Sequence, residues 1–145
     1  MSDQELLKDI VRQIEELKTE QRRLASLKPL YNVWNMDTIG TPLAADANNY
    51  AVGDYDLIFI APTANRIING LTGGVKGRFL IVKNQSTFTL TFTNQNASAT
   101  AENRILTPTL GNIVLASRQS ALFIYVNDAT IVTGTTRWLL LFPAA

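Results

Sequence analysis

The stretch Ser2–Leu27 carries a seven-residue hydrophobic repeat that constrains the rest of the chain. Its apolar residues recur in steps of three and four, the spacing that forms one side of a coiled-coil helix. A helix of this length gains most of its stability from packing, so the repeat predicts a partner. The a positions are Leu7, Ile14 and Gln21, and the d positions are Ile10, Leu17 and Leu24.

Both ends of this predicted helix are marked. Ser2 and Glu5 form a capping box, in which a hydroxyl and a carboxylate satisfy N–H groups at the helix start. Pro29 cannot continue a helix and ends it. The predicted organisation is a coiled-coil helix over residues 1–29, a connecting strand and loop over 30–55, and a β-sandwich over 56–145.

The number of helices in the coiled coil follows from the width of the stripe. The a–d pair Leu7–Ile10 favours a bundle of three or four helices, whereas the pair Ile14–Leu17 favours two. Leu6 at a g position and Val11 at an e position are apolar and widen the stripe, while the polar a residue Gln21 fixes the register. We therefore predict a homotrimer. A dimer, and a helix folded back as a lid on its own β domain, are the alternatives.

Composition excludes several classes of function. The net charge of +1 provides no concentrated basic face for nucleic acid. The chain has no cysteine, which excludes disulfides and thiolate catalysis, and no histidine, which removes the commonest general base and metal ligand. We therefore expect a protein that is not an enzyme and needs no cofactor or metal.

The beginning of the chain does not resemble a targeting segment. Its first residues are charged and helical, and no apolar run approaches the length of a membrane span. We expect synthesis in the cytoplasm without a signal peptide, and no membrane insertion.

Short strands follow one another after residue 55. They are bounded by turn residues, and no second helical period interrupts them, which favours an antiparallel β-sandwich or barrel. One further short strand is predicted within Leu30–Gly40, and Thr41–Gly53 is predicted to be a loop. The candidate strands are Asp56–Ala61, Arg66–Ile68, Gly77–Lys83, Thr87–Thr93, Arg104–Thr107, Asn112–Leu115, Ser120–Val126 and Thr136–Phe142.

These strands are of two kinds. Thr87–Thr93 alternates apolar residues with threonines, as expected of a strand with one solvent-exposed side. Unbroken apolar runs, which predict burial of both sides, occur in Leu57–Ile60, Phe79–Val82, Leu122–Val126 and Trp138–Phe142. One small domain has too little interior for four such strands. We expect neighbouring copies to cover some outer faces, the alternative being a closed barrel with a few exposed apolar residues.

The glycine-rich segment between residues 70 and 77 is predicted to form turns. A phosphate-binding loop lies between a strand and a helix, whereas a strand-like run follows here. Its glycines are therefore assigned to turns that need positive φ. The members of this group are Gly70, Gly73, Gly74 and Gly77.

Acidic residues near the predicted connecting loop are assigned to turns and caps. Asp54 and Asp56 could present two oxygens to calcium, but a complete calcium-loop spacing is missing. Neither they nor Asp37, Asp46 and Glu102 form a recognisable glycosidase pair.

Two further groups have ordinary explanations. Trp34, Tyr50 and Trp138 are expected in a core or an interface, with stacking on a sugar ring as the alternative. Asn84 and Asn96 begin glycosylation patterns, which carry no weight without a secretory signal.

A short echo links Asn65-Arg66 to Asn103-Arg104, 38 residues later. Each dipeptide precedes apolar residues at a predicted strand entrance. A duplicated half-domain, a pair of interface arginines and chance all remain open as explanations.

An ordered set of motifs carries a family resemblance. Glycines and Gly77-Arg78 precede an apolar strand, followed by Asn103-Arg104, a serine-led apolar strand and Arg137-Trp138. The set covers roughly half of the chain and resembles a β module of structural proteins in tailed bacteriophages, found in head fibres, neck appendages and tail-fibre tips. The resemblance implies a homotrimeric, non-enzymatic virion component. Its structural residues would be Gly70, Gly73, Gly74, Gly77, Arg78, Asn103, Arg104 and Trp138.

The leading hypothesis is a virion fibre or appendage with a helical stem and a β knob. Its partners would be its own copies and other proteins of the capsid, neck or tail, with the host cell surface as a further candidate. The alternative is a receptor-binding module in which a loop such as Asn94–Thr100 recognises a host glycan or protein. A third hypothesis, a small glycan hydrolase, would depend on Asp54, Asp56 and Glu102.

Overall fold

The computed structural model describes residues 2–26, 35–37, 40–126 and 136–143, and of residues 24–26 and 142–143 the backbone only. The chain divides into two compact units, Met1–Val33 and Trp34–Ala145. The described part of the first unit is helical, and the described strands belong to the second. The prediction of a mainly β chain with one N-terminal helix is confirmed.

The helix α1 spans Asp3–Ser26. Its start has the predicted capping box, since the Ser2 amide donates to the Glu5 carboxylate at 3.0 Å and the Glu5 amide donates to Ser2 Oγ at 3.3 Å. The predicted stop at Pro29 lies outside the described residues.

The β unit contains nine strands among its described residues and one short 3-10 helix. The 3-10 helix spans Ala101–Asn103. The strands are β1 (Thr41–Leu43), β2 (Leu57–Pro62), β3 (Arg66–Ile68), β4 (Phe79–Asn84), β5 (Leu90–Phe92), β6 (Ile105–Leu106), β7 (Ile113–Leu115), β8 (Ser120–Val126) and β9 (Arg137–Pro143).

These strands form two mixed sheets, so the expectation of an antiparallel sandwich is wrong. The larger sheet has the order β1-β2-β4-β8-β9-β6, and the smaller has the order β3-β5-β7. Four pairs are parallel, namely β1–β2, β2–β4, β3–β5 and β6–β9. Strand β8 is antiparallel to both of its neighbours. Parallel neighbours need a crossover connection, and here the chain passes through the other sheet between them.

The parallel pairs arise because successive turns of chain stack in the same direction, as in a short solenoid. Each turn contributes first to the larger sheet and then to the smaller one. Both sheets share the same repeat, because equivalent positions recur after 21 and then 24 residues. They are Met36, Leu57 and Ile81 in the larger sheet, and Ala47, Ile68 and Phe92 in the smaller.

The two sheets share one apolar core. Leu80 and Phe123 from the larger sheet and Leu90 and Phe92 from the smaller are fully buried. The rings of Phe92 and Phe123 meet edge to face with centroids 5.0 Å apart, a favourable aromatic geometry. This contact joins the sheets.

Side-chain amides connect the stacked turns. Asn48, Asn69 and Thr93 occupy successive turns, again 21 and 24 residues apart. The Asn69 amide donates to Asn48 Oδ1 at 2.7 Å, and the Thr93 hydroxyl donates to Asn69 Oδ1 at 2.8 Å. These bonds form a short ladder beside the pairing of the backbone.

Asn84 satisfies backbone carbonyls at the end of β4. It is fully buried, and its amide nitrogen donates to the carbonyls of Phe88 (2.7 Å), Leu115 (3.1 Å) and Ala116 (3.1 Å). Its oxygen accepts from the Ser86 amide at 3.0 Å. Buried carbonyls without a donor would lower the stability of the fold, so the Asn84 side chain stabilises the connection between the two sheets.

Two local expectations need correction. Thr41–Gly53 is not only a loop, since it contains β1 and the bridging residues Ala47 and Tyr50. Of the strand predicted in Leu30–Gly40, Met36 forms an isolated bridge, and residues 30–34 and 38–39 lie outside the described residues. The polar composition of this segment gave no strand pattern. Its residues form backbone pairs because they stack on the next turn of the chain.

The Asn-Arg echo is not a duplication in the structure. Arg66 lies in β3 of the smaller sheet, whereas Arg104 precedes β6 and bridges Gly70. The true repeat has a different length.

A test of the stacked turns uses Gly70. A Cβ on this residue would lie 2.6 Å from Ala99 Cβ, 2.7 Å from the Asn103 carbonyl and 2.9 Å from the Asn48 carbonyl. We expect Gly70→Ala to lower the free energy of unfolding by about 2 kcal/mol, because two of the three neighbours are backbone atoms that cannot rotate away. Chemical denaturation of the full chain measures this loss.

Gly111→Ala is the matched control. A Cβ there would lie 3.8 Å from Thr109 Oγ1, an ordinary contact. We expect a change within about 0.5 kcal/mol. Equal effects of the two substitutions would contradict the close approach at Gly70.

Candidate functional site

One side of α1 presents an apolar stripe, which we define as the six large side chains at its g, a, d and e positions. Each exposes between 44% and 70% of its surface. Covering the remaining area would contribute about 1 kcal/mol per side chain, so the stripe favours association with another apolar surface. Its members are Leu6, Leu7, Ile10, Val11, Ile14 and Leu17.

Two predicted stem residues lie beyond this stripe. Gln21 is exposed on the same helix. The backbone of Leu24 is helical, and its side chain lies outside the described residues.

The charged residues of α1 pair along the helix itself. The hydrogen bond to Asp9, followed by that to Glu16, raises the pKa of Arg12, and the hydrogen bond from Arg23 lowers the pKa of Glu20. Exposed pairs of this kind contribute little to stability. They leave the stripe itself uncharged. The pairs are Asp9–Arg12, Arg12–Glu16, Glu15–Lys18 and Glu20–Arg23.

The outer face of the larger sheet carries a second apolar surface. Side chains of β2, β4 and β8 alternate between a buried inner face and a partly exposed outer face. The register aligns the outer side chains in two adjacent rows. We define the outer patch as Phe79, Ile124 and Leu139 in one row and Leu57, Ile81 and Leu122 in the next.

Within one chain the outer patch is only half covered. Phe79 is 46% exposed and the other five side chains are half-buried. Burial on both faces, as expected from the apolar runs, is therefore complete only on the inner side. The next row contains Phe59, Lys83 and Ser120 and forms a more polar margin. Lys83 Nζ donates to the Arg118 carbonyl at 2.5 Å.

Arg78 holds two turns of the chain together. Its guanidinium donates to the carbonyls of Gly73 (2.5 Å), Gly53 (2.7 Å) and Tyr55 (2.6 Å). The planar fork of an arginine can reach several carbonyls at once. The glycine-rich segment thus supplies one of the three backbone oxygens that this arginine binds.

Two glycines of this segment have conformations that other residues avoid. Gly73 has φ +73° and Gly77 has φ +82°. The prediction of positive φ is wrong for Gly70 and Gly74. Gly74 is constrained by space instead, because a Cβ would lie 2.0 Å from the ring of Tyr125.

Trp138 is a core residue. It is fully buried, its indole N–H donates to the Leu71 carbonyl at 2.8 Å, and its ring meets Tyr125 edge to face at 5.2 Å. Stacking on a sugar is therefore excluded for this ring in the folded chain. Tyr50 is half-buried, and burial raises the pKa of its hydroxyl. Trp34 lies outside the described residues.

Arginines near the 3-10 helix bind backbone carbonyls. Arg104 Nε donates to the Ala99 carbonyl at 3.2 Å, and Arg137 donates to the Ala101 carbonyl. Burial, and then the nearby Arg104, lower the pKa of Arg137. Within the described residues, the buried Nε atoms of Arg137 and Arg66 have no hydrogen-bond partner.

Hydrogen bonds to the side chain of Asn49 hold the end of the loop Asn94–Thr100. Asn49 Oδ1 accepts hydrogen bonds from the Thr100 backbone N–H at 3.0 Å and the Thr100 hydroxyl at 2.9 Å. It also accepts one from the Asn103 side-chain Nδ2 at 3.0 Å. The Ser98 amide donates to Asn96 Oδ1 at 2.8 Å. Asn103 therefore helps to set the conformation of this loop.

The acidic candidates are not brought together into a metal site. Asp46 Oδ1 accepts from the Ile67 amide at 2.9 Å, and Asp56 Oδ2 accepts from the Asn35 amide at 3.0 Å. Each bond joins residues 21 apart, so these carboxylates link successive turns of the stack and do not form the local turns or caps that were predicted. Among the described residues, no three acidic side chains are grouped to hold a metal ion.

The glycosylation patterns fall on structured positions. Asn84 is enclosed, so its amide is not accessible for modification in the folded chain. Asn96 is half-buried, and its side chain accepts the bond from Ser98.

Sequence reasoning missed the residues that organise the turns, namely Asn49, Asn69 and Asn84. A signal for the repeat was present, since Gly53 and Gly77 lie 24 residues apart, each shortly before an apolar run. Both have positive φ.

Comparison of the chain with family models, curated protein sequences and solved structures gives no match. No helix in the described part of the chain is both long enough and apolar enough to cross a membrane.

Replacing Arg78 tests the hydrogen bonds from its guanidinium to three backbone carbonyls. We expect Arg78→Ala to lower the free energy of unfolding by about 2 kcal/mol, because three carbonyls lose a charged donor. Arg78→Lys should restore only part of this, since an ammonium lacks the fork geometry. Lys76→Ala, at an exposed cation two residues away, is the control and should change stability by less than about 0.5 kcal/mol. Full rescue by lysine would contradict a role for the fork.

Proposed function

We propose that this chain is a structural protein of a tailed-bacteriophage virion, a homotrimeric fibre or appendage attached to the capsid, neck or tail. Three copies of α1 form the stem and three β units form the knob. The observation that carries the proposal is the apolar stripe, in which six large side chains remain exposed on one side of a 24-residue helix. Copies of the same helix cover such a stripe most directly.

The flanks of the stripe support a parallel bundle, which is the arrangement of a closed trimer. In parallel helices a g residue faces an e residue of the neighbour, so Leu6 meets Val11, and Gln21 meets its own copies. In an antiparallel pair g residues face g residues and e residues face e residues, and the next g and e residues along the helix are the polar Gln13 and Lys18. The parallel arrangement therefore matches apolar flanks with each other.

The phage assignment is supported by the ordered motifs of the β unit. Arg78, Asn103, Arg104 and Trp138 belong to the resemblance, and each makes hydrogen bonds that hold the turns of the fold. A module whose recurring residues maintain its fold is suited to a mechanical role.

Receptor binding is the second candidate, and the loop held by Asn49 supports it. Binding residues are commonly carried by loops that a rigid scaffold holds in place. In the loop Asn94–Thr100, the side chains of Ala97 and Ser98 are exposed while Ala99 is buried. Binding of the full chain to cells and glycan arrays, compared with an Ala97→Arg variant, tests this role.

The stem is tested by substituting the stripe. We expect Ile14→Gln together with Leu17→Gln to convert the trimer to monomers, because the central a and d layers lose their apolar contacts. Light scattering after size-exclusion chromatography measures the mass.

The control places the same residue type on the other side of the helix. Lys8→Gln together with Thr19→Gln should leave the trimer intact, because both positions lie away from the stripe. A monomeric unmodified chain would overturn the proposed trimer, and a trimer that survives the stripe substitutions would assign its stability to the β units.

The virion role is tested in particles. We expect the chain in purified particles of the phage that encodes it, and we expect deletion of residues 2–27 to abolish its incorporation. Quantitative mass spectrometry of particles measures both. A chain present in the lysate but missing from particles would contradict the proposal.

A further inference from the structure

The outer patch is a separate apolar surface in the β unit, and its size limits what it can bind. Each of the two rows crosses three strands, and with strands about 4.8 Å apart and rows about 6.7 Å apart the footprint is roughly 190 Å². A stable interface buries roughly 800 Å² on each partner. The patch is therefore too small to hold a freely diffusing protein by itself.

A tethered partner is not subject to the same limit. Linking two surfaces through another contact raises their effective concentration to about the millimolar range, at which a small contact forms. The stem would provide this tether for copies of the same chain. The size of the patch thus favours a second copy over a foreign protein.

The charge distribution also fits contact between identical surfaces. Three copies whose outer patches face the threefold axis bring the same residues together, so a charged patch would repel itself. All six residues of the outer patch are apolar, and the cation at its margin, Lys83, donates to the carbonyl of Arg118.

We propose that the outer patch is the surface through which the β units of neighbouring copies pack against each other in the trimer. The proposal rests on the proposed trimer and names its second contact. The stem holds the copies together, and the patch orients the knob. The four strands with apolar outer sides then reach the burial that one chain cannot supply.

The experiment uses the lack of cysteine in the chain, which allows single thiols to report burial. Ile81→Cys places a thiol at the centre of the patch, and Ile124→Cys provides a second position in the other row. Thr91→Cys is the control, because Thr91 is also half-buried in a strand centre but lies in the smaller sheet. Each is made in the full chain with an intact stem and in the chain carrying Ile14→Gln and Leu17→Gln.

The measurement is the rate of alkylation by a maleimide, with the mass determined in parallel. We expect Ile81→Cys and Ile124→Cys to react about tenfold more slowly in the intact trimer than in the stem variant, since reaction requires the contact to open. Thr91→Cys should react equally in both.

The other outcomes separate the two proposals. A trimer whose patch thiols react as fast as those of a monomeric stem variant would overturn the patch contact and leave the stem proposal standing, with the patch open to another partner. A monomer with slowly reacting patch thiols would indicate cover within the same chain and overturn both. A monomer with rapidly reacting thiols would overturn both as well.

Discussion

Stacking of successive turns depends on side chains that satisfy backbone carbonyls and amides where the chain leaves each sheet. Buried backbone groups cannot remain unpaired without a large cost in free energy. Asn84 meets this requirement at the end of β4, Asn49 meets it beneath the loop Asn94–Thr100, and Arg78 meets it between two glycine-containing turns. The turns therefore need particular polar residues, whereas the strands need only apolar ones.

The apolar surfaces of the two units have different consequences. The stripe on α1 is long and continuous, so it can drive association by itself, whereas the outer patch covers too little area and can only add to a contact that already exists. In the proposed trimer the stem would supply the affinity between the copies, and the outer patch would set the orientation of their β units. The charged pairs of α1 lie outside its a and d positions, so they would stay in solvent in the proposed stem.

Local patterns predicted the helix and most strands, because period and capping depend on neighbouring residues. Ser120–Val126 was predicted with its observed bounds, and the capping box at Ser2 has the expected bonds. Pairing was not predictable in this way, since alternation within β2 and β4 does not reveal that they lie side by side and parallel. Candidate site residues on the helix followed from the heptads, but an asparagine such as Asn84 has the same local appearance whether it ends a strand or organises a core.

The reversal of chain direction at β8 sets how this architecture can vary in size. Because β8 runs antiparallel to β4, it terminates the series of parallel strands, and further extension at that border would require replacing it. The parallel pair β2–β4 could instead accept an inserted turn of the chain. One additional turn of 21 to 24 residues would widen the larger sheet by about 4.8 Å. A change in length by whole turns on the β2–β4 side would therefore leave β8, and the strands β9 and β6 beyond it, in place.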